Sequence, residues 1–163
     1  MNTFYQGFLT ALIPSLIVAV VTAVVTARLT VNQYCSKKWW DKKFDAYSRI
    51  MEQLSIVRLF LNRNFDHLTG VDVSKEFWIK IRPEYLEAKI ELEKASMAGA
   101  YIIDDRATTL LVEFIKVLDW RDPEGDWTEE FDRQFGKVSA CIDDIERIAK
   151  EDLRKEQRIF LFK

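Results

Sequence analysis

The sequence predicts an all-α protein, with one N-terminal transmembrane helix followed by a cytoplasmic antiparallel bundle of about four helices. Three observations predict it. None of the first 27 residues is charged, although 31% of the 163-residue chain is Asp, Glu, Lys or Arg. Beyond that opening, apolar residues recur at alternating spacings of four and three, the period of a helix that buries one face. Five Gly and three Pro are too few for a turn-rich β-sandwich or a Gly-rich nucleotide-binding fold. Residues 1–30 therefore read as a membrane anchor and residues 31–163 as one cytoplasmic domain large enough to hold its own core.

The span comes first. Residues 8–27 read FLTALIPSLIVAVVTAVVTA, which as a helix rises roughly 30 Å, the thickness of the bilayer's hydrocarbon. Pro14 lies near its start, and Thr10, Ser15, Thr22 and Thr26 have hydroxyls that can return to the backbone. A cleaved signal peptide is the competing reading, but MNTFYQG carries no Lys or Arg and the apolar run is long. Gly7, Ala11, Ser15, Ala19, Ala23 and Ala27 recur every four residues, a stripe of small side chains that allows close helix approach in lipid and favours self-association or a partner helix.

After the span, Arg28, Lys37, Lys38, Lys42 and Lys43 form a basic flank with the aromatic rings of Tyr34, Trp39 and Trp40 among them. The positive-inside bias then puts the amino terminus outside and the C-terminal domain in the cytoplasm. Lys37, Lys38, Trp39, Trp40, Lys42 and Lys43 are the residues expected at the lipid interface, facing anionic head groups. A cytoplasmic setting is reducing, so Cys35 and Cys141 are expected as thiols.

Residues 37–65 predict a long helix whose seam is Trp40, Phe44, Tyr47, Met51, Leu54, Leu61 and Phe65, interrupted at Arg58. No Gly or Pro separates it from the span. Residues 68–74, LTGVDVS, make a turn closed by a Ser74 or Asp72 N-cap. A second helix follows over 75–103, with Pro83 kinking it or opening its second part. Asp104 and Asp105 begin a third helix that ends near Trp120, and residues 121–127, RDPEGDW, are a loop. Asp126 and Glu129 make a capping box for the last helix, with Phe131, Phe135, Val138, Ile142, Ile145 and Ala149 as its seam.

Charge and motifs narrow the function. Residues 28–70 carry a net +4 and residues 71–163 a net −6, a gradient that orients the domain away from an anionic leaflet and disfavours direct nucleic-acid binding. No phosphate loop, CxxC pair, HExxH or Gly-x-Ser-x-Gly elbow is present, so no cofactor, no metal and no enzymatic activity is expected. The acidic run Asp119, Asp122, Glu124 and Asp126 lacks the spacing of a calcium loop, and Asp143, Asp144 and Glu146 read as an exposed helical face. Small residues from Ala95 to Tyr101 permit close packing or a shallow pocket beside Tyr101. The tail RIFLFK is apolar where tails are usually polar.

Two resemblances extend these readings. Arg63-Asn-Phe-Asp-His67 resembles a shortened Arg…His motif of HEPN ribonucleases, which implies His67 as general acid or base and Arg63 as a phosphorane-stabilising cation. The uncharged span, the KKWWDKK collar and the helical domain together resemble small membrane accessory and effector proteins of bacterial antiphage systems, including CRISPR-associated ones. That resemblance implies a homo-oligomer that gates or perturbs the membrane, as a pore, when a nucleotide messenger or protein partner arrives. A membrane-tethered protein-binding adaptor is the alternative, and a membrane-bound ribonuclease the third reading.

Overall fold

The computed structural model describes the backbone of residues 2–119 and 127–161, and within them the side chains of residues 16–97, 99, 101–119, 127 and 129–155. Among the described residues it holds four α-helices and no strand: α1 (Asn2–Leu68), α2 (Lys75–Ala98), α3 (Asp105–Asp119) and α4 (Trp127–Leu161). A 3-10 turn, Gly99–Tyr101, follows α2. The chain divides into two compact units, Met1–Trp39 and Trp40–Lys163, so the division falls inside the KKWWDKK collar.

In the first unit α1 is helical from Asn2, and its described side chains from Leu16 to Trp39 are exposed, among them Leu16, Ile17, Val18, Val20, Val21, Val24 and Val25. The helix is long and apolar enough to cross a membrane. The Thr30 hydroxyl donates to the Thr26 carbonyl at 2.9 Å, so this polar side chain finds a partner within its own helix.

The second unit is built around one core to which all four helices contribute. From α1 come Tyr47, Ile50, Leu54, Val57 and Leu61, spaced three and four apart. This seam differs from the expected one by a small rotation. Ile50 and Val57 take the places assigned to Met51 and Arg58, Phe44 is 47% exposed, and the interruption at Arg58 disappears because that residue faces outward. Ala88 and Leu92 of α2 meet Leu111, Phe114 and Leu118 of α3 and Val138, Ile145 and Ile148 of α4 in the same core. Close backbone approaches join α3 to α4 and α2 to α3. Leu54, Leu61, Leu92, Leu111 and Ile145 are fully buried, each contributing about 1.5–3 kcal/mol of transfer free energy.

Helix ends follow from local chemistry. Gly70 adopts φ +89°, and the bonds Val71 N–H to Asp66 O (2.9 Å) and Gly70 N–H to His67 O (3.3 Å) form a Schellman motif that ends α1. The Ser74 hydroxyl, not the Asp72 carboxylate, caps α2 by accepting from the Phe77 N–H at 3.3 Å. Pro83 stays inside a single helix. The carbonyl deprived of its N–H partner belongs to Ile79, which is 76% exposed, so water can satisfy it. The α-helical part of α2 stops at Ala98 rather than continuing to residue 103: a Cβ on Gly99 would stand 2.9 Å from the Ile103 Cδ1, and the chain tightens there into the 3-10 turn. Asp104 caps α3, its carboxylate accepting from the Arg106 N–H at 3.0 Å. Residues 121–126 of the expected loop, with the Asp126 cap, lie outside the described residues, as do the side chains of the apolar tail, while Trp127, expected to end the loop, instead opens α4.

Candidate functional site

The residues expected at the lipid interface separate into two groups. Lys37, Lys38, Trp39 and Lys42 are exposed, and the Lys38 ammonium lies 5.9 Å from the centre of the Tyr34 ring. Trp40 and Lys43 have turned into the second unit. Trp40 stacks on Phe44 with ring centres 5.4 Å apart, and its indole N–H is buried with no hydrogen-bond partner among the described residues. Lys43, expected with the others at the lipid interface, instead holds Asp152 of α4 at 3.0 Å, because that carboxylate is 7% exposed and requires a cation. The other Asp152 oxygen accepts from the Tyr47 hydroxyl at 3.0 Å, and the same hydroxyl accepts from the Asp104 N–H at 3.0 Å. Lys43, Tyr47, Asp152 and the start of α3 thus form one buried polar knot, and burial raises the Tyr47 phenol above its ordinary pKa.

Of the small-residue stripe, Ala19, Ala23 and Ala27 are exposed on α1, whereas the side chains of Gly7, Ala11 and Ser15 lie outside the described residues.

Arg63 and His67 lie one turn apart at the end of α1, each with structural work. The Arg63 guanidinium pairs with Asp66 at 3.1 Å and lies 5.9 Å from the centre of the Phe77 ring. His67 meets the Trp78 ring edge to face at 5.8 Å. Phe60 continues the cluster, edge-on to Trp78 at 6.2 Å and stacked on Tyr85 at 4.0 Å. These contacts fasten α1 to α2 beside their connecting turn. Among the described residues no group of three or more His, Cys, Asp or Glu is placed to hold a metal ion. On the acidic face of α4, Asp144 accepts from Arg147 at 2.7 Å and Glu146 pairs with Lys150. Asp119 pairs with Lys89 of α2, while Asp122, Glu124 and Asp126 lie outside the described residues.

The small-residue segment does open a shallow groove of about 250 Å3 between α1 and α2, floored by Ile50, Leu92, Ala95, Gly99 and Ile102. Tyr101 is not part of its lining and stands 83% exposed.

The most unusual surface is on α2, which is apolar on two opposite faces. Ile81, Ala88, Leu92 and Ser96 are buried, and at the opposite side of the helix Ile79, Leu86, Ile90 and Met97 are exposed by 76, 59, 51 and 78%. With 100° per residue these four fall within about 40° of one another, a single stripe. Four large side chains exposed to this degree present on the order of 500 Å2 of apolar surface, the upper end of what monomers tolerate. The sequence signal was their spacing of seven, four and seven. It is hidden when a helix is searched for one apolar face, because the inner face satisfies that search first. Comparison with protein-family models, curated proteins and solved structures finds no match for the chain.

Proposed function

We propose that the chain is a membrane-tethered adaptor: residues 1–30 anchor it in the inner membrane, the basic flank keeps residues 31–163 in the cytoplasm as a helical bundle, and the outer face of α2 docks a protein partner. The observation that carries this reading is the exposed stripe of Ile79, Leu86, Ile90 and Met97 opposite a buried inner face. An apolar stripe with helical periodicity is the complement of another amphipathic helix, and leaving it in water has no structural use. The engagement of Arg63 by Asp66 and Phe77, with one His in the chain, leaves acid/base chemistry poorly supported.

A photoreactive residue at Leu86, with the full-length protein in native membranes, tests the reading. One adduct of defined mass is expected from Leu86 and none from a control position at exposed Lys116 of α3. Equal adduct patterns at both positions would remove the adaptor from first place. A second reading, the oligomeric effector that gates the membrane on a cytoplasmic signal, is favoured by exposed Ala19, Ala23 and Ala27 on one stripe of α1. Loss of membrane potential on overproduction, abolished by Ala19→Leu with Ala23→Leu, is its expected signature.

A further inference from the structure

The outer face of α2 also specifies what kind of helix fits it, an inference that rests on the docking role proposed above. Residues 79, 83, 86, 90, 93 and 97 are spaced four and three apart, a coiled-coil seam of Ile, Pro, Leu, Ile, Glu and Met. Along one edge of it stand Lys75, Arg82 and Lys89, at successive intervals of seven. Lys75 and Arg82 make no ion pair among the described residues; Arg82 only lies 5.9 Å from the centre of the Trp78 ring, and Lys89 is held by Asp119. Along the other edge Glu76, Lys80, Glu87 and Lys94 alternate in sign.

A second copy of α2 is a poor occupant in either direction. Parallel pairing sets Glu93 against Glu93 in the seam and puts Lys75 beside Lys80, and Lys89 beside Lys94, of the second copy, against one opposite-charge pair, Arg82 beside Glu87. Antiparallel pairing, with Leu86 opposite Ile90, sets Glu87 on Glu87, Lys89 on Lys89 and Lys80 near Lys94. Like-charge pairs outnumber opposite ones in both of these arrangements, which disfavours self-pairing and leaves Lys75 without an acid in either. We infer that the occupant is an amphipathic helix of a different protein, with an apolar four-three seam and acidic residues at seven-residue spacing along the edge that meets Lys75 and Arg82. Pro83 leaves room in the seam for a large side chain of that helix, and Glu93 prefers a polar or basic one opposite it.

The test uses full-length protein in detergent micelles and two synthetic helical peptides that share a Leu/Ile seam and differ only in one edge, Glu at seven-residue spacing or Lys. Fluorescence anisotropy is expected to find the Glu-edged peptide bound about tenfold more tightly at low salt, as two to three charge pairs of modest strength predict. The preference should reverse in a Lys75→Glu, Arg82→Glu variant. Both peptides should be lost in Ile90→Asp, whose helicity is retained because Ile90 is half exposed. Equal affinity for the two peptides, or a preference that survives the double variant, overturns the acidic-edge inference while leaving the docking face intact, since Ile90→Asp still abolishes binding. Binding indifferent to Ile90→Asp, or absent for both peptides, overturns the inference together with the docking face. A cysteine at position 90 that crosslinks to itself in a Cys35→Ser background overturns it in favour of a second copy.

Discussion

Tyr47 joins three helices through a single oxygen, donating to Asp152 of α4 and accepting from the N–H of Asp104 at the start of α3. Tyr47→Phe keeps the packing and leaves both partners short of a bond, so we expect a loss of about 1–3 kcal/mol in chemical denaturation. Asp152→Ala is expected to cost more, because the buried carboxylate takes bonds from both Lys43 and Tyr47 and the substitution removes both. Asp104 adds a pH dependence. The hydrogen bond from Arg106 holds its carboxyl below the ordinary 3.8, so its contribution is complete above that value and disappears as pH falls through the lowered one. Asp104→Asn keeps a good N-cap and removes the charge. It should therefore be less stable than the parent at pH 7, by under about 1 kcal/mol because the pair is half exposed, and equal to it in strong acid. The Asp104 cap was legible in the sequence, but the polar knot was not: Lys43 reads as one of four similar lysines in the collar, and the acid that captures it comes more than a hundred residues later.

Helix α2 separates stability from recognition along one element. Leu92→Ala removes a fully buried side chain and is expected to cost about 2–5 kcal/mol, whereas Leu86→Asp on the outer face should change the unfolding midpoint little, within about 0.5 kcal/mol. Comparable losses from both substitutions would mean that the outer face is covered within the folded chain. At the end of α1, Gly70→Ala forces a Cβ into the left-handed region at φ +89°, and we expect about 1–2 kcal/mol of destabilisation with no change in the core. The helices themselves were readable from periodicity, as were the turn at Gly70 and the cap at Ser74. The stop at Ala98 was not, since Ala95-Ser-Met-Ala is good helical sequence and the chain tightens only at Gly99, where Ile103 packs close against it. The seam of α1 was misplaced by one residue at Ile50 and Val57 for a similar reason: Phe44, Met51 and Ile50 are all apolar, and only the neighbouring helices decide which of them is covered.

Across the whole chain, two cysteines divide in a way that makes the membrane topology measurable. Cys141 is buried in the core and burial pushes its thiol up to about 12, so in the native state it is neither accessible nor ionised near neutrality. Cys35 is exposed on α1, between the apolar segment and the basic flank. The native protein therefore carries one reactive thiol, and in the membrane-anchored chain proposed above its position reports the side on which the helical domain lies. If the excess of Lys and Arg after the span sets the orientation, a membrane-impermeant maleimide added to intact spheroplasts should leave Cys35 unlabelled. The same reagent should label one thiol per chain once the membrane is permeabilised, and two after denaturation. Labelling of intact spheroplasts would place residues 31–163 outside and remove any cytoplasmic partner for the α2 stripe. One label without permeabilisation in a soluble fraction would instead mean that the apolar helix is not an anchor, and that its exposed valines are covered by protein rather than by lipid.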